Sequence, residues 1–187
     1  MNLELGTVFR RTFHLVSPVF LVYYLLPEDL WVGFPKPFLA FILWSATLAI
    51  ETLRLVFEVD IIGIREYERG QISAYFWGGT ALVLGLILFP PPLVVVSMFG
   101  MAWVDPICAW SRERVGYPLV PLLVYALIAF SGLWFLTDFP LGDLLILSLF
   151  ATGVAIAAEY PTMTYVDDDF TMLMVPLLGT TFIAWLL

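Results

Sequence analysis

Three aspartates stand in a row in Val166-Asp167-Asp168-Asp169-Phe170-Thr171, at the start of an apolar C-terminal segment. Adjacent like charges repel, so such a run needs full solvation, or a cation or basic cluster opposite it. Asp also favours a helix N-terminus, so the same run can simply cap the last helix. Near the other end of the chain, Arg10, Arg11 and His14 lie at three- and four-residue steps and can share one helix face. A third element is Asp105, followed by Pro106 inside the apolar run Met101 to Trp110. An unpaired carboxylate there would be costly, and Pro106 loosens a helix enough to admit water or a ligand. These residue types suit one chemistry. The planar fork of arginine bonds polyphosphate oxygens in pairs. Magnesium is held by one or two carboxylates plus substrate phosphates. Phosphoryl transfer needs little beyond such positioning and charge stabilisation.

The remaining charges have quieter readings beside the functional one. Glu51, Arg54 and Glu58 are spaced for intrahelical ion pairs. Arg65-Glu66-Tyr67-Glu68-Arg69 reads as a solvated charge run. Arg10 and Arg11 can snorkel from a membrane helix, with His14 satisfying a core hydrogen bond. Arg112 and Arg114 follow the Asp105 segment, and Glu159 ends another apolar run before Tyr160-Pro161.

The elements that must position these groups are membrane helices. The chain has 187 residues, 61% hydrophobic and 13% charged, with a mean hydropathy of +0.97; a soluble domain averages about 25% charged. A helix crosses a bilayer in about 17–25 apolar residues. Seven segments qualify, at 8–26, 38–57, 72–90, 93–110, 118–136, 141–158 and 170–187, with 72–110 also readable as a broken pair. The expected fold is an all-α polytopic transmembrane helical bundle of about seven spans, one integral membrane domain over residues 1–187. Basic residues mark the cytoplasmic side. With the N-terminus cytoplasmic, Arg10, Arg11, Arg54, Arg65, Arg69, Arg112 and Arg114 fall inside and only Lys36 outside. The acidic loop 159–169 falls on the same inner face, which makes that face the expected site.

Several classes drop out. A net charge of −8 argues against a nucleic-acid partner. One histidine and one cysteine, Cys108, build neither a zinc site nor a disulfide framework. No phosphate-binding glycine loop, dinucleotide fingerprint or serine nucleophile elbow is present. The N-terminus lacks a basic n-region and cleavage site, so the first segment reads as a retained span.

Taken together and in order, the motifs resemble those of the CTP-dependent lipid kinases, the family of dolichol kinase, phytol kinase and eukaryotic-type diacylglycerol kinase. Arg10-Arg11-Thr12-Phe13-His14 resembles the family's R-[RK]-x-x-H, and Glu51-Thr52-Leu53-Arg54 its E-x-x-R. Arg65-Glu66-Tyr67-Glu68, running into Ser73 through Gly79, resembles its R-E-x-E loop and following helix. Asp105-Pro106 with Gly116 resembles G-D-x-x-A-x-x-x-G-x-x-x-G, and Glu159 with Asp167 to Thr171 resembles E…D-D-N-[LF]-T. The chain departs from the pattern at Val104, Arg112 and Asp169, and no K-[ST]-x-E-G element follows Gly116.

The resemblance implies a divergent membrane lipid kinase moving a phosphate from CTP, or another nucleotide, to a polyprenol-, dolichol- or diacylglycerol-like alcohol with Mg²⁺. It implies catalytic roles for Asp105, Arg10, Arg11 and His14. Phosphate would meet Arg10, Arg11, Arg65, Arg112 and Arg114. Metal would meet Asp105, Asp167, Asp168 and Asp169. Glu51, Arg54, Glu66, Glu68 and Glu159 would support them. A cytidylyltransferase forming a CDP-lipid, and a non-catalytic member that binds lipid phosphates, use the same residues. A small-solute transporter is the remaining alternative. The apolar surface leaves room for a homodimer without specifying one.

Overall fold

The computed structural model describes residues 2–31, 33–114, 116–160 and 166–187. The first apolar segment is not one α-helix. It is α1 (Asn2–Val16) followed by a 3-10 helix (Ser17–Leu25). Pro18 explains the break: it has no N–H to give the carbonyl of His14, four residues earlier. The Ser17 hydroxyl takes that carbonyl instead, at 2.6 Å. A short antiparallel hairpin of β1 (Asp29–Trp31) and β2 (Phe34–Pro35) follows, with Asp29 opposite Pro35. It turns at Gly33, whose φ of +77° suits glycine.

Helix α2 (Lys36–Phe57) starts behind Pro35 and stops at Glu58, which adopts the left-handed conformation. α3 (Ala74–Leu88) is capped by the Ser73 side chain, which accepts from the Phe76 amide. α4 (Pro91–Arg112) opens on prolines, favoured in a first turn because their missing N–H has no partner there anyway. It runs through Pro106 unbroken. The chain from 72 to 110 is therefore two separate helices. α5 (Leu119–Leu136), α6 (Leu141–Glu159) and α7 (Asp168–Leu186) complete the bundle. α2, α4, α5, α6 and α7 are each long and apolar enough to cross a membrane, and α3, with 15 residues, is shorter. The expected loop 159–169 lies partly at residues 161–165, outside the described residues.

α4 is the central post. It packs against α1, the 3-10 helix, α5 and α7, while α3 lies against α2 and α7. Its buried residues Val94, Met98, Ala102, Val104 and Cys108 meet a core that includes Tyr125, Leu133, Leu147, Ala155, Met172 and Leu177. Gly100 lets Tyr125 approach: a Cβ at 100 would lie 2.3 Å from the tyrosine ring. Leu123, Leu127, Phe135 and Trp185 point outward and stay exposed. Large apolar side chains on the outside and a tight core inside are the signature of a bundle solvated by lipid. The structure is an all-α bundle with five helices long and apolar enough to cross a membrane, compatible with a multi-pass membrane protein.

Candidate functional site

The 66–73 connection is fixed first, because the site leans on it. Arg54 clasps Glu51 one turn away with two bonds, at 2.7 and 3.1 Å. Its remaining donors reach the carbonyls of Glu68, Arg69 and Gln71. Glu51 in turn accepts from the amide and hydroxyl of Ser73, at 2.7 and 2.9 Å. Both side chains are buried and every strong partner is satisfied, which is what makes a buried ion pair tolerable. The pair ties α2 to the connection and to the cap of α3. Ser73 carried no sign of this role in the sequence beyond its place before a helix.

The connection presents Glu68, only 2% exposed, to α1. Its Oε1 accepts from Arg10 Nη1 at 3.0 Å, while Oε2 is buried with no hydrogen-bond partner among the described residues. Arg10 Nη2 faces Asp167 Oδ2 at 3.7 Å and Asp169 Oδ2 at 3.9 Å. One turn along α1, His14 Nε2 lies 3.1 Å from the Met101 carbonyl and 3.7 Å from Asp105 Oδ2, and Nδ1 lies 3.5 Å from Asp169 Oδ1. Residues far apart in sequence, on α1, α4 and the start of α7, thus converge with the Glu68 turn. Asp167 is the N-cap of α7, accepting from the Asp169 amide at 3.1 Å. Both sequence readings of the aspartate run hold together: it caps a helix and it faces a basic group. Burial, then the charge of Asp168, push the Asp167 carboxyl up to about 7.

Two groups of ligand atoms are close enough to share a cation. His14, Asp105 and Asp169 form one, and Asp167, Asp168 and Asp169 the other, with donor atoms in each lying within 4.8 Å of one another. Glu68, Asp105, Asp167, Asp168 and Asp169 outnumber Arg10 and Arg65, and one oxygen of Glu68 is orphaned. An excess of buried negative charge with an unsatisfied acceptor fits a divalent cation.

A cavity of about 560 Å³ opens from this cluster into the bundle. Arg10, His14 and Asp169 belong to its wall; the rest is overwhelmingly apolar, contributed by the 3-10 helix, α2, α3 and α4. Gly78 borders the polar end, where an added Cβ would touch the Asp169 Cβ at 3.8 Å.

Other expected site residues lie elsewhere. Arg11 is exposed on α1, so the arginine pair is divided by the helix surface. Glu66 is exposed as well. Arg65 stays at the rim of the cluster, half exposed, bonded to the Tyr67 hydroxyl and 3.9 Å from Glu68. Arg112 pairs with Glu159 at 2.6 Å, and Tyr117 donates to the same carboxylate oxygen at 3.2 Å. That trio joins the ends of α4 and α6 as a separate latch. Arg114 stacks on the Trp110 ring. The Met101 carbonyl and Tyr117 escaped sequence reading; a backbone oxygen leaves no residue-type signal at all.

Comparison of the chain with family models, with curated proteins and with solved structures finds no match. The functional reading therefore rests on the geometry and on the order of the motifs.

Proposed function

We propose that this protein is a membrane phosphotransferase that moves a phosphate from a nucleotide to a lipid alcohol, with a divalent cation, Mg²⁺, as cofactor. The observation that carries the reading is shared membership: Arg10, His14 and Asp169 are at once part of the charged cluster and part of the wall of an apolar cavity. A polar reaction centre opening on a greasy chamber suits a substrate with a reactive head and a hydrocarbon tail. CTP is the donor by resemblance of the motifs, and the cytoplasmic face is the site's side by the sorting of basic residues.

Asp105 and Asp169, with Asp167 and Asp168 beside them, are the carboxylates that would hold Mg²⁺, and His14 stands within reach of the first pair. When bound, the cation would neutralise charge on the phosphate oxygens. Arg10 is held in place by Glu68 and bonds the oxygens of the transferring phosphate. The hydroxyl oxygen of the lipid forms the new bond to phosphorus as the bond to the leaving nucleoside diphosphate breaks. The hydroxyl proton passes to Asp169, the carboxylate that faces the cavity. His14, anchored on the Met101 carbonyl, orients that carboxylate.

The decisive test is thermal stability of the purified protein with CTP, ATP, GTP and UTP, with and without Mg²⁺, followed by product analysis with a labelled nucleotide. A ligand at a hundredfold excess over its Kd adds about 2.7 kcal/mol. A Mg²⁺-dependent rise and a phosphorylated lipid with nucleoside diphosphate support the proposal. CDP-lipid with pyrophosphate reassigns the site to cytidylyl transfer. Absence of any nucleotide effect leaves lipid-phosphate binding without catalysis.

A further inference from the structure

The cavity has a direction. Its arginine, histidine and aspartate side chains, Arg10, His14 and Asp169, are at one end, and its far end reaches Tyr23, Leu39 and Leu86. α2 and α3 run antiparallel along it: Glu51 meets Ser73 near the charged end, and Trp44 meets Thr80 further along. From Ala74 to Leu86 the wall extends along α3 for about 18 Å at 1.5 Å per residue, over half of a roughly 30 Å hydrocarbon core. The polar side chains met on the way are turned to protein partners. Trp44 Nε1 donates to Thr80 at 3.1 Å, Thr47 to the Leu43 carbonyl at 2.9 Å, and Ser17 to His14. The Tyr75 hydroxyl likewise donates to the Ile62 carbonyl, so between the charged end and Tyr23 these side chains spend their donors on the protein.

The bore is set by small residues. Gly79 lines the cavity, and a Cβ built there would sit 3.7 Å from Thr47 Cγ2 on α2. One methyl at 79 is ordinary contact, whereas a branched side chain would occupy the space between α2 and α3. Ala46 lines the same wall from α2.

We infer that the cavity takes a single hydrocarbon chain lengthwise, its hydroxyl end at Asp169 and His14 and its tail toward Tyr23 and Leu86, with Gly79 setting the width it admits. This rests on the phosphotransfer reading for the role of the hydroxyl end, and on the cavity alone for the chain. A lipid with more than one chain leaves the others in the bilayer.

The test uses two photoreactive hexadecanols, one carrying a diazirine near the hydroxyl and one near the methyl end, cross-linked to the intact protein and mapped by mass spectrometry. The first should label around Thr47 and Gly78, the second around Leu39 and Leu86. Excess unlabelled hexadecanol should compete with both. In Gly79→Leu, labelling by the tail probe should fall about tenfold, in line with the penalty for misfitted methylenes in a pocket. Adducts confined to lipid-facing Leu123, Leu127 and Phe135, or adducts that do not compete, overturn the inference even in wild type, so it does not hang on the variant folding. The two readings fail separately. Cavity adducts without phosphate transfer to any alcohol sink the enzyme and keep the chain site; transfer without cavity adducts does the reverse.

Discussion

His14 and Asp169 face each other at 3.5 Å, tying the last turn of α1 to the first turn of α7. The other ring nitrogen of His14 lies 3.1 Å from the Met101 carbonyl, which can only accept. Nε2 must therefore carry the proton of that bond, and Nδ1 meets the Asp169 carboxyl through a proton carried by one of the two. His14→Gln should lower kcat by about 10–100-fold, the usual cost of losing a group that orients a reactive side chain. Its melting temperature should stay close to wild type. Unchanged turnover with any lipid alcohol would remove His14 from the reaction.

Arg10 and Arg11 are adjacent, yet only Arg10 reaches Glu68, Asp167 and Asp169. Loss of one preorganised donor to a developing charge costs about 10²–10³ in kcat. Arg10→Ala should show that loss, and Arg10→Lys should not restore it, because lysine lacks the planar fork. Arg11→Ala should retain most of the activity. Equal losses at the two positions in a phosphate-transfer assay would contradict this division.

How much of this could be read from residue types differs by element. The seven apolar segments fall on helical regions, of which five helices are long and apolar enough to cross a membrane; Pro18 divides the first segment by withholding a single amide, and α3 is shorter than a span. The gathering of Arg10, His14, Asp105 and the aspartate run was legible because each was expensive to place in lipid and few neutralising partners existed. Arg112 and Glu159 were legible as charges, and their mutual bond was not, since nothing in sequence spacing says that two helix ends meet. The cavity was hidden for a similar reason: Gly78 and Gly79 look like ordinary membrane-helix glycines until α2 and α7 are placed beside them.

The Asp167 carboxyl, raised to about 7, makes stability depend on pH. Between its unfolded value near 3.9 and about 7, the native state holds a proton that the unfolded state has released. Stability should therefore fall as pH rises through that window and level off above it. Asp167→Asn keeps the cap, since Asn serves as well as Asp, and should flatten the slope. Mg²⁺ added at pH 8 should raise the melting temperature of wild type more than that of the variant. A steeper slope in Asp167→Asn would show that another group governs the titration.

The Glu51–Arg54 pair positions Glu68 and, through it, Arg10, so its loss should register twice. Arg54→Ala strands a buried carboxylate and should cost about 3–5 kcal/mol. In detergent this reads as a large drop in melting temperature. Ser73→Ala removes the hydroxyl bond to Glu51 and the α3 cap at once, leaves the backbone amide bond to Glu51 in place, and should cost about 1 kcal/mol or more. Wild-type stability in Arg54→Ala would mean that water enters and solvates Glu51.

Gly100 tests the packing that carries α4 past α5. A Cβ there meets Tyr125 at 2.3 Å, and Tyr125 is fully buried, so the ring has no open space to move into. Gly100→Ala should destabilise by about 1–3 kcal/mol, the range for overpacked cores. Tyr125→Leu in the same chain should recover part of the loss, because the contact is with the outer half of the ring. The comparison to make is a double-mutant cycle of melting temperatures. Additive effects of the two substitutions would show that α4 and α5 do not touch at this point, and with them would go the placement of Met101 and Asp105 opposite His14.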